Sequence, residues 1–212
     1  MMERPIPRRP GPPLPPSRFE GAERPFSLAL KIALNLFLTV YLVQSATVFY
    51  EYQPGEPWPF LFWIIRNGIF LFIHEGGHGL FMFFGRTVHV LGGSFWQIMF
   101  PCISFLIGVR QRATVVAPFA LFWTGVNMMD VSLYMRDAPV MQLPLLGGHK
   151  SGHDWRYLFG EYDLLDSAGD IADVFYFGGL LISIGSIFAG LWFAVQRYLH
   201  PRPLEMQQLT QE

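Results

Sequence analysis

The chain has 212 residues, a length that fits one domain. Hydrophobic residues make up 51% of it and charged residues only 15%, whereas an average soluble domain carries roughly 25% charged residues. This deficit argues against a soluble domain and favours a chain whose partner is the lipid bilayer. The net charge of −1 argues against a nucleic-acid partner, and the single cysteine, Cys102, excludes an intramolecular disulfide.

The two ends of the chain differ in composition from its middle. Residues 1–25 are rich in proline and arginine, and they lack the apolar core and small-residue cleavage site of a secretory signal. Their composition predicts a disordered tail that favours polyproline II; a proline-rich ligand for a partner is the less favoured alternative. Residues 201–212 are predicted to be a second, polar tail. The domain between the tails therefore spans residues 26–200.

Five apolar stretches reach the length of about 20 residues that a membrane helix requires. The third contains Gly92, Gly93 and Pro101, so it either crosses the membrane or re-enters it on one side. A polar loop, residues 136–170, separates the fourth stretch from the fifth. We therefore expect an all-α, polytopic transmembrane helix bundle of four to five membrane segments, drawn from residues 26–50, 59–84, 88–109, 113–135 and 174–198.

Positive residues are concentrated before the first stretch and predict a cytoplasmic N-terminus by the positive-inside rule. If the third stretch re-enters, Arg86, Arg110 and Arg112 also lie on the cytoplasmic side, and loop 136–170 lies outside. If the third stretch crosses, Arg110 and Arg112 lie outside instead. The first distribution agrees better with the rule, so the re-entrant form is the preferred expectation.

The second stretch contains His74-Glu75-Gly76-Gly77-His78, the HExxH pattern. Helical residues four apart lie on one face, so the imidazoles of His74 and His78 can bind one metal ion. Glu75, one position after the first histidine, can take a proton from a water molecule that zinc activates. The pattern therefore predicts a zinc site with a catalytic glutamate.

The membrane setting strengthens this interpretation. Between Arg66 and Arg86 the only ionisable residues are His74, Glu75 and His78. Each ionisable group at mid-membrane costs roughly 2.5–3.5 kcal/mol, and a bound metal ion offsets part of that cost. Helix packing through hydrogen bonds is the alternative explanation. We favour metal binding and predict Zn²⁺ as the cofactor.

The identity of a third ligand is open, and a catalytic zinc ion requires three protein ligands besides water. Asp130 lies within an apolar stretch, where a carboxylate requires a partner. His153 and Asp154 lie beside Trp155, whose preference for the membrane surface favours a loop that folds back. We slightly prefer the His153-Asp154 pair, and a carboxylate that is not a ligand could accept a hydrogen bond from a ligand histidine. Two further candidates are Asp137 and His149.

A transmembrane HExxH helix followed by two further apolar stretches resembles the site-2 protease family of intramembrane zinc metallopeptidases, over roughly residues 60–135. The resemblance implies that His74 and His78 bind zinc and that Glu75 is the catalytic base. In that family the third ligand is an aspartate in a Leu-Asp-Gly motif preceded by an asparagine. The fourth stretch here has Asn127-Met128-Met129-Asp130 and does not match that motif.

The expected function is therefore zinc-dependent hydrolysis of a peptide bond in or near the bilayer, with a membrane protein or peptide as substrate. Loop 136–170 would act as a lid or a funnel for water. The alternative is a non-proteolytic polytopic membrane protein, either a metal carrier or a scaffold. Glu75 favours the enzyme, because metal binding alone requires the histidines but not that glutamate.

Overall fold

The computed structural model describes residues 25–50, 56–144 and 152–199. The predicted tails, apart from Pro25, lie outside this set, and so does His149. The described part of the chain is helical and contains no strand, which confirms the predicted all-α class.

Four helical stretches are, by length and composition, able to cross a membrane, which agrees with a multi-pass membrane protein. They are Phe26–Tyr50, Arg86–Arg110, Val116–Asp137 and Leu165–Leu199. We name the corresponding long helices together with three shorter ones in chain order: α1 (Pro25–Tyr50), α2 (Phe60–Ile64), α3 (Leu71–Phe81), α4 (Arg86–Arg110), α5 (Val116–Asp137), α6 (Asp154–Glu161) and α7 (Ala168–Leu199).

The second predicted stretch is helical but not uniform. A π-helical turn, Ile65–Phe70, separates α2 from α3, and a 3₁₀ turn, Met82–Phe84, follows α3. π-Helical turns are rare and occur frequently at functional sites. Gly85 then adopts a φ of 88°, a left-handed conformation that favours glycine, and the chain reverses into α4. The HExxH residues therefore lie in a short helix that packs antiparallel to α4.

The third predicted stretch is one continuous α-helix of 25 residues with Pro101 inside it. It does not break at Gly92 or Gly93, as a re-entrant segment would have to. At 1.5 Å per residue its length is roughly 37 Å, which exceeds the roughly 30 Å of a hydrocarbon core. Of the two alternatives, the structure therefore favours crossing over the preferred re-entrant form. The cytoplasmic N-terminus stays a prediction.

Helix α5 is the centre of the bundle. Its apolar window is 72% buried, against 17% to 28% for the other three, and it packs against α1, α4 and α7. One apolar cluster joins α5 to α1 and α2 around Tyr41, Phe62 and Phe122. A second cluster joins α5 to α6 and α7 and includes Trp155 and Ala172. This second cluster holds the short helix α6 against the membrane helices.

Close contact between α5 and α7 depends on glycine. A Cβ atom on Gly125 would overlap the Ser183 side chain and the Gly179 carbonyl of α7. Small residues of this kind allow helix backbones in membranes to approach each other closely.

We therefore expect Gly125→Ala to separate α5 from α7 and to destabilise the protein by about 1–3 kcal/mol, the usual cost of overpacking. Thermal unfolding of detergent-purified protein measures this as a lower Tm. Gly185→Ala, on α7, is the matched control, because a Cβ there meets nothing within 4 Å. Equal Tm values for the two variants would contradict the described helix contact.

Candidate metal centre

Three side chains converge where α3, α4 and α6 meet. His74, His78 and Asp154 each offer one ligand atom, and these atoms lie within 4.8 Å of one another. His74 Nε2 lies 2.9 Å from Asp154 Oδ2, and His78 Nε2 lies 3.2 Å from the same oxygen. The two Nε2 atoms are 3.1 Å apart. The helical spacing of the HExxH residues therefore places both imidazoles on one face, as the sequence predicted.

The dimensions of this group fit a small cation. Zinc bonds of about 2.0–2.1 Å in tetrahedral geometry separate the ligand atoms by roughly 3.3 Å, close to the separations of 2.9, 3.1 and 3.2 Å found here. The Nδ1 atom of His78 lies 2.9 Å from the backbone carbonyl oxygen of His89. Since a carbonyl only accepts, Nδ1 carries the proton, and Nε2 of the neutral ring is an acceptor facing the Asp154 carboxylate. Two acceptors at this distance require a proton or a metal ion between them.

Space for this group comes from a glycine of α4. A Cβ on Gly93 would lie 2.6 Å from the Nε2 atoms of both His74 and His78. Gly77 of α3 and Gly92 of α4 meet in the same way, since a Cβ on Gly77 would overlap the Gly92 carbonyl. The close approach of the two helices therefore positions the histidines, and Gly93 leaves their ring nitrogens unobstructed.

Helix α6 brings Asp154 to the histidines through contacts made by its own backbone amide and by its neighbours in sequence. The Asp154 amide donates to the Tyr134 hydroxyl at 3.0 Å, and the Trp155 indole donates to Ser94 Oγ at 3.0 Å. His153 caps α6, with its Nδ1 accepting from the Arg156 amide. These contacts fix α6 against both α4 and α5.

Both ring nitrogens of His153 have partners other than the histidine pair. Its Nε2 donates to Asp137 Oδ2 at 3.0 Å. Asp137 also accepts from the backbone amides of Gln142 and Leu143, at 2.7 and 3.1 Å. Of the preferred pair, the structure therefore brings Asp154 and not His153 to the other two ligand atoms, and it places Asp137 in the anchor of α6.

Asp130 is buried and also lies outside the group of three. Its Oδ1 accepts from Arg66 Nε at 2.6 Å, and its Oδ2 accepts from Gln97 Nε2 at 2.7 Å. Gln97 Oε1 in turn lies 3.0 Å from His74 Nδ1. Asp130 thus reaches the histidine through Gln97. Gln97 was not among the predicted site residues, although an amide within an apolar stretch requires a partner and could have pointed to it.

Glu75 is exposed, in contrast to the buried His74 beside it. It lines a cavity of about 1350 Å³ that also reaches His74, His78 and Asp154. The lining of the cavity includes both apolar and polar side chains, among them Trp58, Trp63, Arg66 and Asn67. Glu75 and the candidate ligand group (His74, His78 and Asp154) therefore line the same cavity.

Asp154 lies outside the helices that could cross the membrane, and the pKa of its carboxyl group is shifted. Burial disfavours the ionised form, but in the metal-free protein the imidazoles of His74 and His78 donate to the carboxylate when they are protonated, and these contacts outweigh burial and hold the pKa of Asp154 below its usual range. An ionised carboxylate is the form that binds a metal ion.

Comparisons with models of known protein families, with curated proteins and with solved structures found no match to this chain.

Asp137→Ala should release α6, because it removes the acceptor of three hydrogen bonds in a buried place. Each donor left without a partner costs about 1–3 kcal/mol. We expect amide hydrogen exchange in residues 152–161 to accelerate by about tenfold or more, measured by mass spectrometry. Glu161→Ala, at the exposed end of the same helix, is the control and should leave exchange unchanged. The described anchor of α6 is incorrect if the two variants exchange alike.

Proposed function

We propose that this protein is an intramembrane zinc-dependent endopeptidase that hydrolyses a peptide bond in or near the bilayer of a membrane protein or peptide. The observation that carries the proposal is the convergence of His74, His78 and Asp154 beside a cavity that Glu75 also lines. Two imidazoles and one carboxylate are a common ligand set of catalytic zinc sites, which leave a fourth position open.

Zinc bound by His74, His78 and Asp154 would act as a Lewis acid and lower the pKa of water to near neutrality. Glu75 would accept a proton from water and pass it to the leaving amine. Its exposure supports this role, because a carboxylate that only held helices together would be buried and partnered.

The cavity supports a peptide as the substrate. Its volume of about 1350 Å³ exceeds the roughly 300–1,000 Å³ of sites for small molecules. Trp58, Trp63 and Leu71 offer apolar surface, while Arg66 and Asn67 offer hydrogen bonds. A segment that leaves the bilayer with a partly unwound backbone needs both kinds of contact, since its freed polar groups require partners.

Glu75→Gln tests the catalytic assignment. We expect this variant to retain stoichiometric zinc, because Glu75 is not in the ligand group, and to lose cleavage of transmembrane peptides by about 10²- to 10⁴-fold, the usual contribution of a general base. His78→Ala should lose the zinc as well. Metal analysis and a cleavage assay on detergent-purified protein measure both, with Glu161→Gln as the control. If the unaltered protein binds zinc but cleaves none of the transmembrane peptides tested, a metal carrier or scaffold would be favoured.

Gly93→Ala tests the metal site without altering a ligand. The added methyl group would press on both Nε2 atoms, so we expect zinc affinity to fall by at least tenfold while the helical circular dichroism is retained. Competition with a chelator measures the affinity. Gly79→Ala is the matched control on α3, since a Cβ there meets nothing within 4 Å. Unchanged zinc affinity in Gly93→Ala would place the metal elsewhere.

A further inference from the structure

A row of buried and half-buried polar side chains runs from the π-helical turn to the candidate metal centre. Arg66 lies in that turn, Asp130 in α5 and Gln97 in α4. Successive contacts of 2.6, 2.7 and 3.0 Å join Arg66 to Asp130, Asp130 to Gln97, and Gln97 to Nδ1 of His74. Helices that are distant in sequence thus meet in one continuous hydrogen-bonded row.

The chemistry of the first two members sets the direction of every hydrogen bond in the row. The Arg66 guanidinium only donates and the Asp130 carboxylate only accepts. Gln97 must therefore turn its NH₂ group toward Asp130, which turns its carbonyl oxygen toward His74. Because that oxygen only accepts, Nδ1 of His74 must carry the proton. The lone pair of the neutral ring is then on Nε2, the atom beside Asp154 and His78.

We propose that Arg66, Asp130 and Gln97 form a relay that holds His74 in the tautomer required for metal binding through Nε2. The inference rests on the proposed zinc site and assigns three positioning residues to it. His78 obtains the same tautomer from a backbone carbonyl, which no substitution can reverse. Of the two tautomers, only that of His74 depends on side chains, so only that one can be reversed by substitution.

The Asp130→Asn substitution would reverse the tautomer of His74. The Arg66 Nε–H still requires an oxygen, so the new amide places its oxygen there and its NH₂ group toward Gln97. Gln97 must then turn its own oxygen toward position 130 and its NH₂ group toward His74. Nδ1 becomes an acceptor, and the proton moves to Nε2, where it competes with the metal ion.

The experiment measures Zn²⁺ affinity by chelator competition for the unaltered protein and for Asp130→Asn, Gln97→Met and the double variant. We expect each single substitution to weaken binding about 10- to 100-fold, the usual range for groups that orient a metal ligand. We expect Asp130→Asn to have little further effect in the Gln97→Met background, because the relay is already broken. Additive effects would instead show that the Asp130 charge acts directly on the metal ion, and would overturn the relay.

Two controls separate the possible failures. Asp173→Asn removes a carboxylate that pairs with Arg136, and it should leave zinc affinity unchanged. If the unaltered protein binds no zinc, the proposed function fails; if it binds zinc and both single variants bind it equally well, only the relay fails. Should Asp130→Asn not fold, the ring ¹⁵N spectrum of the zinc-loaded unaltered protein decides, and a His74 ring without a proton on Nδ1 overturns the proposal.

Discussion

Polar side chains among apolar helices must find partners within the protein, because lipid offers none. In this bundle that requirement links residues from separate helices into one network around the HExxH turn. Asp130 is paired with Arg66 and Gln97, and Gln97 contacts His74. Asp137 holds His153 at the start of α6. The candidate metal centre lies where these buried contacts meet.

The central position of α5 explains how the site is assembled. Its Asp130 serves the row that ends at His74, and its Tyr134 and Asp137 hold the start of α6. One helix therefore supports the site from two sides. The ligand group itself comes from α3 and α6, neither of which is among the four helices able to cross the membrane, so its geometry depends on how these two short helices are docked.

Glycine and helix irregularity provide the space that this arrangement requires. Gly77, Gly92 and Gly93 allow α3 and α4 to approach while leaving the histidine nitrogens clear. The π-helical turn before α3 contains Arg66 and lies between α2 and α3. Neither feature adds a ligand: the glycines leave room for the histidines, and the π-helical turn supplies the Arg66 that pairs with Asp130.

Hydropathy and the helical period were enough to predict the all-α class, the multi-pass character and the pairing of His74 with His78, because each follows from local spacing along one helix. The continuity of α4 was not predictable, since Gly92, Gly93 and Pro101 are compatible with both a break and a buried helix contact.

Whether His153 or Asp154 lies beside the histidine pair depended on the N-terminus of α6. His153 caps the helix and turns its ring to Asp137, and the next residue, Asp154, projects toward the histidines. The role of Asp130 likewise depended on α4 lying beside α5, a contact between residues far apart in the chain that no local pattern encodes.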